Sequence, residues 1–143
     1  METIDRQNVL DVLGNEWGNY VSKFQRLSPE AQAAFLEKQG YKRLADLLSH
    51  IVAWWEEGLR AIGSFRTDPD ARQPEIDIDT FNARAVEKVR GVTDDDMIQS
   101  FEKMRRKFVD VVTDLSDNDF QNEKIVNQIK MELINHFEDH RIQ

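Results

Sequence analysis

The chain contains no cysteine. Disulfides, thiolate metal sites and a cysteine nucleophile are thereby excluded, and any thiol chemistry must use a thiol supplied from outside. Positive charge is in deficit: 19 Lys and Arg stand against 27 Asp and Glu, for a net charge of −8. Free nucleic acid is not expected as a partner, because neutralising phosphates needs a clustered positive surface. The one basic run, Lys103, Met104, Arg105, Arg106 and Lys107, falls inside a helical pattern and reads as a solvated helix face. No apolar run approaches the length that spans a bilayer. The opening METIDRQNVLDVL lacks the basic and then apolar segments of a secretory signal. A soluble cytoplasmic protein is the expectation. Prolines are few, three in all, and none interrupts a long helical pattern.

What is present is a globular composition, 143 residues with 40% hydrophobic side chains, which is enough for one domain (1–143) with a real core. The hydrophobic period is helical almost throughout. Val9, Leu10, Leu13, Trp17, Tyr20, Val21, Phe24 and Leu27 recur by threes and fours from a start near Thr3. Ser28 then reads as a cap with Pro29 in the first helical position, opening a short helix that runs to about Lys38 and is stopped by Gly40. The most apolar helix spans about Tyr41 to Ser64, with Leu44, Leu47, Leu48, Ile51, Val52, Trp55, Leu59 and Ile62 as its stripe.

The stretch FRTDPDARQPEIDID is the longest irregular segment, and it can span the length of a bundle or shape the mouth of a pocket. Asp79 reads as the cap of a short polar helix through FNARAVEKVRG. Thr93 caps the next, with Asp94, Asp95 and Asp96 where the helix dipole favours negative charge. Its stripe is Met97, Phe101, Met104, Phe108, Val111, Val112 and Leu115. The final helix carries Ile125, Val126, Ile129, Leu133, Ile134 and Phe137. Four long amphipathic helices and two short ones predict an all-α four-helix bundle with one long crossover connection and short accessory helices.

The chain has only three histidines. His136 and His140, at i and i+4, project from one face of the last helix, the face that also carries Ile129, Leu133 and Phe137. His50 borders the apolar stripe of the second long helix, so the three imidazoles converge if those helices are neighbours. Three neutral imidazoles suit zinc, nickel or ferrous iron and leave one side of the ion open, as catalytic sites do. A partly exposed helix end and a hydrogen-bonded core histidine are the alternatives.

The segments LADLLSHIVAWWEEGLRAI, IDTFNARAVEKVRG and INHFEDHRI, in that order, resemble the DinB-like (DinB/YfiT-like) family of bacterial metal-binding bundles over nearly the whole chain. The resemblance implies a four-helix bundle in which His50, His136 and His140 hold one divalent metal at one end of a central pocket. It also implies chemistry of a known range. Some members transfer or isomerise with a small cellular thiol such as bacillithiol or mycothiol, and the related ClbS/DfsB branch acts on or sequesters toxic small molecules.

An open metal position either brings the pKa of bound water near neutrality or takes a thiolate. Glu57, seven residues after His50, and Glu132, four before His136, are the candidate general bases or imidazole partners; a solvated glutamate on an amphipathic helix is the competing and commoner reading for both. Asp46, four before His50, is a further partner candidate, whereas Glu138 and Asp139 point to other sides. Trp17, Tyr20, Trp54 and Trp55 are candidates to line a pocket, Trp54 above all because it adjoins His50; core packing is the competing reading for all four. The leading expectation is a metal-dependent thiol transferase or hydrolase acting on a small electrophilic molecule. The alternatives are a non-catalytic metal- or small-molecule-binding stress or resistance bundle, and a structural bundle with packed histidines. A homodimer is compatible with all three.

Overall fold

The computed structural model describes residues 4–142, which are helical with no strand among them. The chain begins with α1 (Arg6–Asp11), whose cap Asp5 accepts from the Asn8 amide. A π-helical turn, Val12–Glu16, continues it, and α2 (Tyr20–Arg26) completes the first long run. Ser28 and Pro29 open α3 (Pro29–Gln39) as the sequence predicts, and Gly40 closes it at φ 86°, a left-handed conformation that glycine alone adopts without strain. The second long helix, α4 (Leu44–Thr67), starts three residues later than expected. It is followed by α5 (Ile78–Lys88) and α6 (Asp94–Asp114). The last run joins α7 (Glu123–Ile129), a second π turn (Lys130–Asn135) and α8 (His136–His140) without a break. No helix is long and apolar enough to cross a membrane among the described residues.

The cap of α5 is Asp77, not Asp79. The Asp77 side chain accepts the Thr80 amide, and Asp79 falls in the first turn, where its charge still suits the dipole. Thr93 caps α6 as predicted, accepting from the Asp96 amide at 3.1 Å.

Polar contacts fix the directions of the helices. The Ala45 amide donates to Asp94 Oδ1 at 2.8 Å, and Arg66 meets Asp114 and Asp119 at the other end, so α4 and α6 run parallel. Trp55 Nε1–H donates to the Glu132 carbonyl and Lys124 approaches Phe65, so the last run is antiparallel to α4. Arg6 reaches the Leu115 carbonyl and Arg105 the Leu13 carbonyl, so the first run is antiparallel to α6. The order is up, down, down, up. Two consecutive parallel helices need the chain carried back along the bundle, and residues 68–93, with α5 in them, do this. Arg43 locks the end of that return by donating to the Val92 and Val89 carbonyls at 2.7 and 2.9 Å.

All four runs bury their apolar stripes in one core, where Trp17, Trp55, Phe101 and Phe108 are fully enclosed. Trp17 meets Trp55 edge-on at 5.0 Å, and Trp55 stacks on Phe101 at 5.4 Å. Each fully buried side chain of this size contributes about 1.5–3 kcal/mol. With so many, the helices hold together without a metal as a staple.

Candidate metal centre

The two π turns matter for what lies beyond them. A π turn takes one more residue than an α turn, which frees backbone carbonyls from the regular ladder and rotates the following residues on the helix surface. In the Lys130–Asn135 turn the Glu132 and Leu133 carbonyls accept the indole N–H groups of Trp55 at 3.0 Å and Trp17 at 2.9 Å. The buried tryptophans thus satisfy the bulge, and His136, the next residue, is turned toward α4. Tyr20 Oη–H donates to the His140 carbonyl at 2.6 Å and secures the end of α8.

His50, His136 and His140 come together at the end of the bundle where α4 starts and α8 finishes. Each offers one ring nitrogen, and the three nitrogens lie within 4.8 Å of one another. His50 Nε2 is 3.0 Å from His140 Nε2 and 3.1 Å from His136 Nε2. The three histidines are thus placed to bind one metal ion. Two nitrogens bound to a single zinc-like ion, each about 2.0–2.1 Å from it, stand between about 2.9 Å apart at right angles and about 3.4 Å apart at the tetrahedral angle. The observed separations fit that spacing.

The protons can be placed from the surrounding hydrogen bonds. Trp54 Nε1–H, which only donates, reaches Asn82 Oδ1 at 2.7 Å, so Asn82 presents its oxygen inward. His50 Nδ1 lies 3.0 Å from the same oxygen and must carry the proton, which leaves Nε2 bare. Gln39 donates through its amide nitrogen to the Asp139 carbonyl at 3.3 Å, which turns Gln39 Oε1 to His140 Nδ1 at 2.7 Å. His140 Nε2 is then bare as well. Two unprotonated nitrogens facing each other at 3.0 Å repel unless a cation lies between them. His136 Nδ1 is buried with no hydrogen-bond partner.

Burial lowers all three imidazole pKa values. His136 is held down to about 3, first by burial and then by its two neighbouring rings. His140 is held down to about 4 by burial and by His50. His50 is lowered by burial, with the Asn82 bond and the Asp139 charge opposing. All three rings are neutral at pH 7, the state that binds metal.

Gln39 and Asn82 were not visible in the sequence as site residues. Each is an amide on an accessory helix, α3 or α5, and no spacing along a single helix connects it to a histidine.

The carboxylates expected at the site are elsewhere. Glu57 pairs with Arg60 at 2.5 Å and touches no imidazole. Glu132 is buried, but its carboxyl reaches α4 at Gly58, where a β-carbon would stand 2.6 Å from Glu132 Cγ. Its Oε2 has no partner, and burial followed by the Glu57 charge pushes its pKa up to about 8. Asp46 pairs with Arg43 at 2.9 Å instead of with His50. Among the described residues, no carboxylate bonds the imidazoles. Trp17, Tyr20 and Trp55 are core residues whose polar atoms serve the last helical run. Trp54 adjoins the site, tilted against Phe81 at 4.2 Å between ring centres and holding Asn82. A cleft of about 700 Å³ runs outside the two amides, lined by Gln39, Tyr41, Arg43 and Asn82. The Tyr41 ring lies 5.7 Å from that of His50.

Compared with protein-family models, curated proteins and solved structures, the chain matches none.

Proposed function

We propose that this chain is a metal-dependent bundle of the DinB-like kind that acts on a small electrophilic molecule with a thiol supplied from outside. One observation carries the reading: three neutral imidazoles, two buried and His136 half-buried, direct Nε2 at a common point, and two have their proton fixed on Nδ1 by oriented amides. Packed core histidines would not set bare nitrogens against each other. The up, down, down, up order and the long return segment agree with the expected four-helix bundle with one crossover.

The donor set is electrically neutral. Imidazoles backed by amides, not carboxylates, leave a divalent ion's charge uncompensated, so zinc, nickel or iron held there supplies a strong Lewis acid that favours anionic ligands such as a thiolate. Asn82 and Gln39 orient the rings without taking protons. Tyr41, its pKa raised by burial and by Asp46, stays a neutral phenol able to donate a hydrogen bond into the cleft. With no cysteine in the chain, the sulfur nucleophile comes with the substrate pair.

The lack of a carboxylate hydrogen-bonded to the imidazoles, among the described residues, supports a second reading: a bundle that sequesters its metal or ligand without turnover. Metal titration of the purified protein followed by thiol–electrophile assays separates the two. Stoichiometric uptake of one divalent ion, abolished in His136→Ala, is expected under both. Turnover that disappears in the same variant supports the enzyme. Metal uptake independent of the histidines overturns both.

A further inference from the structure

A second feature lies away from the histidines. Helices α5 and α6 each pack along α4 and hardly touch one another. The gap between them is a groove of about 860 Å³, with α4 as its floor. Val52, Phe81, Ala85 and Met104 give it an apolar lining, and neither His136 nor His140 borders it.

The basic run of the sequence is divided by this groove. Arg105 and Arg106 turn away to share Glu102, at 2.5 and 3.3 Å. Met104 goes inward. Lys103 and Lys107 stand on the groove's α6 wall, facing Arg84 and Lys88 on the α5 wall. Among the described residues none of these four cations finds an ion pair or a hydrogen bond, in a chain whose net charge is −8. The acidic residues of the groove, Glu56, Glu75 and Asp77, gather where α5 begins, and Asp77 is occupied in capping that helix. The later turns of α5 are cationic.

We infer that the groove between α5 and α6 binds an organic carboxylate with an apolar body, of the fatty-acid or aryl-acid type. The body lies against Phe81, Ala85 and Met104, and the carboxylate sits between Arg84 and Lys88 on one wall and Lys103 on the other. An apolar cavity of this size with a few convergent charges is how small-molecule sites are built. The four cations have no ion pair with a described residue, so an anion gains their field without breaking one. The inference stands apart from the metal reading, since no histidine of the α8 run takes part.

Calorimetric titration of the full-length protein with decanoate, decanol and decyltrimethylammonium, each below its micelle concentration, tests the inference. Decanoate should bind one to one, about tenfold or more tighter than either other probe, and weaken as salt rises. The exposed pair Arg84→Glu with Lys103→Glu should lower decanoate affinity about tenfold or more while leaving decanol binding unchanged. His136→Ala should leave decanoate binding intact. Equal affinity for the three probes, indifference to the charge reversal, or lack of saturable binding of decanoate, benzoate and naphthoate alike overturns the inference. Loss of binding in His136→Ala also overturns it, by placing the anion at the histidines. Benzoate and naphthoate in the same titration tell an aryl acid from a fatty acid.

Discussion

The Nε2 atoms of His50 and His140 stand 3.0 Å apart, each ring being held from behind by an amide oxygen on an accessory helix. Helix α3 adds Leu36 to the core and α5 buries Ala85, so most of the core comes from the four long runs. Both helices nonetheless deliver one side chain, Gln39 or Asn82, that fixes which nitrogen of a ring is free.

These amides should therefore matter to metal binding more than to folding. Asn82→Leu and Gln39→Leu are each expected to weaken zinc affinity by about 10–100-fold, as loss of a ligand's outer hydrogen bond typically does. Competition titration with a chromophoric chelator measures this. Unchanged affinity in both variants would show that the rings are oriented by packing alone.

Gly58 gives a test of sign. In the middle of a helix, Gly→Ala ordinarily gains about 1 kcal/mol. Here the new methyl would lie 2.6 Å from Glu132 Cγ and 2.9 Å from its Cδ, in a buried site. Gly58→Ala should destabilise by about 1–3 kcal/mol, the usual cost of overpacking. In combination with Glu132→Ala most of that cost should vanish, a non-additivity expected of residues in contact. Urea denaturation of the four proteins checks it.

Buried ionisable groups set the pH profile of the metal-free protein. Glu132 has its pKa raised from 4.5 to about 8, so the folded state holds a proton that the unfolded chain releases. Its contribution is fully present below pH 4.5 and is lost as pH rises through 8, at about 1.4 kcal/mol per unit at most. The histidines work oppositely. Their pKa values are lowered from 6.5, so their contribution is present above pH 6.5 and is lost as pH falls toward 4 and 3. Three imidazoles outweigh one carboxyl where the windows overlap, so stability should peak close to neutrality and fall on both sides. Glu132→Gln should flatten the decline between pH 6.5 and 8 and leave the acid limb. Thermal melts across pH read both limbs, and a persistent alkaline decline in the variant would refute the assignment to Glu132.

The tryptophans support the last π turn. Trp17→Phe and Trp55→Phe each keep the ring but leave a buried carbonyl, of Leu133 or Glu132, without its donor. Each should cost about 1–3 kcal/mol. Because that turn sets the direction of His136, zinc affinity should fall along with stability. Calorimetry and metal titration of the same samples would show whether the two losses go together.

The legible parts of this protein were those with a local cause. Ser28 with Pro29, Gly40 and Thr93 mark helix ends through their own backbone chemistry, and each does so in the structure. The histidine set was readable because His136 and His140 share a helix face by spacing, and because His50 borders the stripe of a helix that must have a neighbour. Glu57 and Asp46 were misplaced because an arginine three residues away takes each carboxylate, a competition that helical spacing to a histidine does not register. Glu132, a candidate imidazole partner weighed against a solvated glutamate, is buried, but Gly58 opens a space that draws its carboxyl away from the rings. Asn82 and Gln39 depend on how separate helices dock, and the π turns on where two indoles find acceptors. None of these has a signature in a single helix.

The extra residue held in the Lys130–Asn135 turn has a consequence for recognising chains of this kind. Winding the same residues as ordinary helix, with none to spare in the turn, would swing everything after it by about 100°. The paired histidines would keep their spacing, and the text of the motif would read as before. Its rings, however, would look out over a different flank of the bundle, so a search by pattern would accept a chain that had lost the centre.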